Sequence, residues 1–180
     1  LVGDVWVLAG QSNMQGYANR VNEEAEDPLV HLYAFSDQWK IAKDPLHVLE
    51  ESHDVVHSAP PDEAKRAEQV KAAYERAKGV GLGMSFAKEI VKRTGRPIGL
   101  VACAHGGTSM DQWNPAAKDQ GGASLYGSMF RRVTAVGGRV KGILWYQGEA
   151  EANPQLSAAF PDKFKALIAA VRADFGAPDL

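Results

Sequence analysis

The chain has 180 residues, 45% of them hydrophobic, which is enough to bury one substantial core in a single domain. Its formal net charge is −2, so no basic surplus favours nucleic acid or an anionic membrane surface as a partner. No apolar run approaches the roughly 20 residues of a membrane-spanning helix, so no span is expected. The single cysteine, Cys103, lies in an apolar segment and is interpreted as a core residue.

The first half of the chain begins with a predicted strand. Asp4–Ala9 is short and apolar on both faces, which is typical of a buried parallel strand. Leu29–Phe35 and Gln38–Ala42 then predict a small hairpin or two short strands. The charged, alanine-rich segment Asp62–Lys78 is a helix candidate inserted before the next core helix. Its charge pattern favours a solvated surface helix over the alternative, a lid over the site.

The second half alternates helices with buried strands. Apolar spacing and turn residues predict, in chain order, helix Met84–Thr94, strand Arg96–Ala104, helix Leu125–Val136, strand Arg139–Gln147 and helix Phe160–Phe175. Strands that alternate with helices indicate an α/β fold whose parallel strands are joined by right-handed crossovers.

A polar, glycine-bearing turn follows each of the three buried strands. The turns are AGQSNMQG after the first strand, ACAHGGTSMDQW after the second and LWYQGEAE after the third. In open α/β sheets, ligands bind beyond the carboxyl ends of the strands. We therefore expect the three turns to form one site.

Ser12, in the first turn, is the candidate nucleophile. A serine at a strand-to-helix turn can expose its hydroxyl while nearby N–H groups face a developing oxyanion. Gly10 permits a sharp turn before it. Gly106 or Gly107 could bring a further N–H to the same point, and Gln147 could supply a side-chain amide. Taken alone, Ser12 would be interpreted as a helix N-cap, but the three turns together favour catalysis.

The motifs GQSNM, GGTSMDQW and WYQGEAE, in this order and spacing, resemble the sialate O-acetylesterase and acetylxylan esterase branch of the SGNH hydrolase superfamily. The resemblance implies a flavodoxin-like, three-layer α/β/α fold with a mostly parallel sheet, and a serine esterase that removes acetyl groups from an acetylated carbohydrate without a cofactor. It covers 1–180 as one esterase domain, C-terminally incomplete, with an insertion over about 50–78. It favours a secreted or periplasmic location and leaves the sugar and the oligomeric state open.

The resemblance also implies roles for individual residues. Ser12 is the nucleophile, and the oxyanion donors are its own N–H, the N–H of Gly107 (less favoured, Gly106) and the Gln147 side chain. Glu149 takes the acidic position of the third block, which in some relatives orients the catalytic histidine. The block ends in Ala150 and Glu151 where many relatives have Ser and Asp. The residues expected to contact substrate are Gln11, Asn13, Gly106 and Trp113.

Aromatic side chains near these strand ends suit a carbohydrate site, because sugar rings stack on aromatic faces. Trp113, Trp145 and Tyr146 are the candidates. The last two are strand residues, and core packing is the default for at least one of them.

The resemblance expects the general base in a D-x-x-H motif beyond residue 180. HDVVH, His53–His57, has the D-x-x-H spacing through Asp54 and His57 and imitates a two-histidine zinc motif. It precedes the second block, however, and Ser58 with residues 59–61 breaks any helix, so neither interpretation is favoured and no metal site is predicted. His105 either contacts substrate or stabilises its turn. The alternative overall function is a carbohydrate-binding or inactive esterase-like module that lacks the base.

Overall fold

The structure, a computed structural model, describes residues 3–58 and 62–180, so part of the predicted insertion, residues 59–61, lies outside the described residues. The strands are β1 Asp4–Gly10, β2 Ala18–Asn19, β3 Val30–Tyr33, β4 Trp39–Ile41, β5 Lys78–Val80, β6 Ile98–Ala102 and β7 Gly142–Tyr146. The α-helices are α1 Ser12–Gln15, α2 Glu63–Glu75, α3 Gly83–Thr94, α4 Leu125–Ala135, α5 Pro154–Ser157 and α6 Phe160–Asp174. Short 3₁₀ helices cover Arg20–Asn22, Leu49–Glu51 and Pro115–Ala123.

The main sheet has five strands in the order β4-β3-β6-β1-β7. β1 pairs in parallel with β6 on one side and β7 on the other, and β3 pairs in parallel with β6. β4 is antiparallel to β3, which confirms the predicted hairpin. A separate two-stranded antiparallel sheet joins β2 to β5 and was not predicted. The predicted α/β class with a mostly parallel sheet is confirmed.

Helices cover both faces of the main sheet, because successive strand residues point to opposite faces. On one face Leu8 and Leu100 pack with Met84 of α3. On the other, Val7 packs with Met129 of α4 and with α6. Each large apolar side chain buried in this way contributes roughly 1.5–3 kcal/mol to the stability of the fold. Because helices cover both faces of the sheet, apolar residues are favoured on both faces of its inner strands. Cys103 belongs to the second cluster, and burial raises the pKa of its thiol to about 11.

The three predicted core helices α3, α4 and α6 form within one residue of their expected bounds. Gly95 ends α3 in the left-handed conformation, with φ of 66°, and its N–H donates to the Val91 carbonyl. Across the described residues, no helix combines the length and the apolar character needed to cross a bilayer.

Helix α2 lies on the surface and buries only Ala73. The Asp62 side chain caps its first turn by accepting from the Lys65 N–H at 2.8 Å. At its other end the Tyr74 hydroxyl donates to Glu51 Oε1 at 2.5 Å. The helix therefore has the solvated character that its charge pattern predicts, and it is attached to the domain near its carboxyl end.

A wholly buried arginine joins two strands of the main sheet. Arg132 of α4 donates from Nε to the carbonyl of Ala102 at 3.0 Å, and from Nη2 to those of Tyr33 and Ala34 at 2.9 and 2.7 Å. Its Nη1 forms an ion pair with Asp37 at 2.7 Å. A buried charge is costly unless it is paired and hydrogen bonded, and these four contacts meet that condition.

Candidate active site

The three glycine-bearing turns meet at the carboxyl edge of the main sheet. The His105 N–H donates to the carbonyl of Gly10 at 3.0 Å, and the Gln11 N–H donates to that of Tyr146 at 2.9 Å. The turn after β1 is thus hydrogen bonded to the segments that follow β6 and end β7. This is the common edge that the strand pattern predicts.

Ser12 is the first residue of α1 and lies half-buried at this edge. The N-cap position belongs to Gln11, whose side chain makes no capping bond, so the N-cap interpretation of Ser12 is wrong. Gly10 has φ of 130°, and a Cβ built on it would lie 2.2 Å from the Tyr146 carbonyl oxygen, so the turn requires glycine. A Cβ built on Gly106 would lie 3.5 Å from the Ser12 Cβ, which brings the second turn against the serine.

Two glutamine side chains occupy the backbone donors of the second turn. Gln15 Oε1 accepts from the Gly106 N–H at 2.7 Å, and Gln11 Oε1 accepts from the Gly107 N–H at 3.2 Å. Space is open around Gly107, since nothing lies within 4 Å of a Cβ built there. For the Gly107 N–H to reach an oxyanion, the longer bond to Gln11 has to be given up. Its role as an oxyanion donor stays a prediction.

The amide of Gln147 is held by Glu151. Its Nε2 donates to Glu151 Oε2 and, at 3.3 Å, to the carbonyl of Thr108. Glu151 Oε1 accepts from the Met110 N–H at 2.7 Å, so this one carboxylate joins the second turn to the third. Both amide hydrogens of Gln147 are engaged, and the bond to Thr108 is the weaker one for an oxyanion to displace.

Glu149 lies opposite the first turn. Its Oε1 accepts from Asn13 Nδ2 at 2.5 Å. Burial raises the pKa of Glu149, but hydrogen bonds from Gln11 and Asn13 outweigh it and hold the pKa below its usual value. Glu149 therefore carries its negative charge at neutral pH, beside two side chains predicted to contact substrate.

Trp113 lies in the core. Its ring is 0% exposed, its Nε1–H donates to Thr108 Oγ1 at 3.1 Å, and it packs edge-on against Trp145 at 5.2 Å. The prediction that Trp113 contacts substrate is therefore wrong, because a wholly buried ring offers no face to a sugar. Trp145 also packs against Phe164, whereas Tyr146 is 46% exposed.

The histidine of the HDVVH segment contacts another histidine. His57 Nδ1 lies 3.1 Å from His105 Nδ1, and His57 Nε2 lies 3.0 Å from Ser128 Oγ. Ser128 Oγ in turn donates to Asp54 Oδ2 at 2.6 Å. Asp54 and His57 thus share a network, with a serine of α4 between them. Within residues 3–58 and 62–180, no group of three or more His, Cys, Asp or Glu side chains has the geometry to hold a metal.

Three residues of this arrangement were not identified from the sequence as part of the site. Glu151 follows Gln147 by four residues in the same turn, and that acidic residue so near an amide was an available signal. Gln15 lies in the motif of the first turn but was given no partner. Ser128 gave no signal, because its contacts come from a loop more than 70 residues away.

Residues 2–180 match the family model described as "Carbohydrate esterase, sialic acid-specific acetylesterase". The chain belongs to this family. Among the solved structures, a protein from Arabidopsis thaliana aligns with this chain at a TM-score of 0.69 and 26% identity, over 99% of this chain and 72% of that one. A carbohydrate acetylesterase from Xanthomonas citri aligns at a TM-score of 0.65 and 24% identity, over 98% and 39%, which shows the fold.

Two curated proteins are similar to this chain in sequence. A probable carbohydrate esterase of Arabidopsis thaliana is 29% identical over 198 residues, covering 98% of this chain. Human sialate O-acetylesterase is 25% identical over 170 residues, covering 85% of this chain. The chain spans 65% of the length of the first relative and 32% of the second.

Proposed function

We propose that this domain removes O-acetyl groups from an acetylated sugar or polysaccharide as a serine carbohydrate esterase, through an acetyl-enzyme. The observation that carries the proposal is the position of Ser12, just beyond the carboxyl end of β1, which lies between β6 and β7, and against Gly106 of the second turn. Membership of a carbohydrate esterase family supports the ester chemistry. Nothing lies within 4 Å of a Cβ built on Gly107, which leaves room for a small group beside this turn.

In the proposed mechanism Ser12 Oγ attacks the acetyl carbonyl carbon, and its proton passes to a histidine base, which the family resemblance expects beyond residue 180. The sugar oxygen leaves as a hydroxyl after it receives that proton, and water then hydrolyses the acetyl-serine. The N–H groups of Ser12 and Gly107 and the amide of Gln147 stabilise the oxyanion. Gln11 and Thr108 release two of these donors when the oxyanion forms.

Glu149 has a supporting role in this proposal. Its lowered pKa keeps it anionic, and an anion near the nucleophile stabilises a histidine that has taken up the serine proton. Its contact with Asn13 fixes the carboxylate relative to the first turn.

Covalent labelling tests the nucleophile. The purified protein treated with an organophosphonate should be modified once, at Ser12, as measured by intact mass and peptide mapping. Ser12→Ala should abolish the modification without changing the circular dichroism spectrum, because it removes only a hydroxyl. Ser85→Ala, whose hydroxyl contacts Glu24 away from the turns, is the matched control and should be labelled normally. Equal labelling of Ser12→Ala would remove Ser12 from the mechanism.

A second candidate is a module that binds acetylated sugars without turnover. The occupied donors of Gly107 and Gln147 favour it, since no free N–H from either faces the serine. Under that function the protein binds an acetylated sugar, Ser12 is not labelled and no acetate is released. Labelling of Ser12 together with acetate release decides for the esterase.

A further inference from the structure

A buried chain of hydrogen bonds leads from a carboxylate to the second turn of the site. It runs from Asp54 through Ser128 and His57 to His105, with separations of 2.6, 3.0 and 3.1 Å. Ser128 is 0% exposed and His57 8%, whereas His105 is half-buried. Water therefore has little access to the inner members, and each proton in the chain has a defined position.

The carboxylate sets the direction of the first two bonds. Burial raises the pKa of Asp54, but hydrogen bonds from Arg131 and Ser128 hold the pKa below its usual value, so the group is ionised. An ionised carboxylate only accepts, so the Ser128 hydroxyl donates to it. The Ser128 oxygen then accepts from His57, which must carry its proton on Nε2.

The protonation of His57 determines the tautomer of His105. Burial, assisted by repulsion from His105 and Arg132, lowers the pKa of His57 to about 3, so its ring is neutral. A neutral ring protonated on Nε2 has a bare Nδ1, and the 3.1 Å contact then requires the proton to come from His105 Nδ1. Burial also lowers the pKa of His105, so its ring is neutral as well and its Nε2 carries no proton.

His105 lies at the same sheet edge as the nucleophile. Its backbone N–H donates to the Gly10 carbonyl, and a Cβ built on the next residue, Gly106, would lie 3.5 Å from the Ser12 Cβ. With Nδ1 engaged by His57, Nε2 is the ring nitrogen left for a ligand. It is a hydrogen-bond acceptor that cannot donate.

We propose that His105 is a substrate-binding residue whose Nε2 accepts a hydrogen bond from a free hydroxyl of the acetylated sugar, and that His57, Ser128 and Asp54 are positioning residues that keep this nitrogen unprotonated. The identity of the ligand rests on the proposed esterase function, whereas the tautomer does not. A free hydroxyl can donate and an acetylated one cannot. The site therefore selects a ring that keeps a free hydroxyl over the same ring fully acetylated, because the latter leaves the nitrogen unpaired.

Histidine ring ¹⁵N NMR tests the tautomer without reference to activity. In the unmodified protein at neutral pH, His105 should be protonated on Nδ1 and bare on Nε2. Ser128→Ala should shift His105 toward a mixture of tautomers, because His57 loses the acceptor that orients it, and Ser85→Ala should leave the spectrum unchanged. A protonated Nε2 in the unmodified protein overturns the proposal. Should Ser128→Ala fail to fold, His57→Gln provides the same comparison.

Sugar binding tests the recognition. In the Ser12→Ala background, which prevents turnover, dissociation constants are measured for a mono-O-acetylated methyl pyranoside and for its per-O-acetylated form. His105→Ala should weaken binding of the first about tenfold, the usual effect of one hydrogen bond, and leave the second unchanged. The proposal is overturned if His105→Ala weakens binding of both sugars equally. It is also overturned if neither sugar binds to the Ser12→Ala variant that retains His105. Failure of Ser12 labelling would refute the esterase function. The ¹⁵N NMR spectrum and the sugar dissociation constants would still decide the tautomer and the binding role of His105.

Discussion

Replacing Glu151 by alanine tests whether one carboxylate holds the second and third turns together. The side chain is 4% exposed and accepts from the Met110 N–H and from the Gln147 amide. Alanine leaves the Met110 N–H and one amide hydrogen of Gln147 buried without an acceptor, while the other amide hydrogen stays on the Thr108 carbonyl. It does not alter the strand ends, so the main sheet is expected to form.

The magnitude follows from the two unpaired donors. Each buried donor that loses its partner costs about 1–3 kcal/mol, so Glu151→Ala should lower the free energy of unfolding by about 2–6 kcal/mol. Glu151→Gln keeps one acceptor oxygen, enough for the Met110 N–H, and should cost about half as much. The loss should be accompanied by slower organophosphonate labelling of Ser12, because the turn that carries Gln147 is no longer fixed.

Urea denaturation gives the measurement. The midpoint should fall in Glu151→Ala with little change in the slope, since the surface exposed on unfolding is nearly the same. Glu68→Ala, an exposed acid of α2, is the matched control and should change stability by less than about 0.5 kcal/mol. A loss under about 1 kcal/mol in Glu151→Ala, with an unchanged labelling rate, would refute the reasoning.

Two further predictions concern stability. Gly10→Ala should lower the free energy of unfolding by about 2–6 kcal/mol, from backbone strain plus the clash with the Tyr146 carbonyl. The control Gly137→Ala, with φ of 103° and nothing within 4 Å of the added Cβ, should lower it by about 1–3 kcal/mol, from the strain alone. Equal losses of stability in urea denaturation would contradict the clash. Burial, with repulsion from Glu23, raises the pKa of Asp44 to about 7, so its contribution is favourable below the unfolded pKa of about 4 and is lost as the pH rises to about 7. The difference in melting temperature between Asp44→Asn and the unmodified protein should therefore grow in favour of Asp44→Asn as the pH rises from about 4 to about 7, and a constant difference would contradict the raised pKa.

The sequence was sufficient for the parallel sheet and its main helices. Buried parallel strands are apolar on both faces, and β1 and β6 have that pattern. The apolar run of β7 predicts a third buried strand, and that prediction is wrong, because β7 is an edge strand whose residues are only partly buried or exposed. Gly95 ends α3 through a backbone conformation that favours glycine, so the boundary could be predicted from one residue. The small sheet of β2 and β5 could not, because strands of two and three residues are too short to show a period.

The hydrogen-bond partners at the site could not be predicted from the motifs. The motifs indicate which side chains come to the sheet edge, but the partner of each depends on distant elements. The motif that contains Trp113 does not indicate that the ring is buried. Burial is possible because the indole N–H donates to the hydroxyl of Thr108, five residues earlier. The contact of His57 with His105 depends on a loop whose path no periodicity describes.

The buried Arg132 has a consequence for where the loops of the site begin. Ala102 and Tyr33, whose carbonyls it binds, are the last residues of β6 and β3. One guanidinium thus donates to the last carbonyls of two neighbouring parallel strands, as capping groups satisfy the last carbonyls of a helix. Lysine would carry the same charge but has three donors on a single nitrogen, so it cannot reach carbonyls on two strands together with Asp37. The segment that leads to His105 therefore leaves β6 beside a planar cation of α4 that is bonded to the ends of two strands.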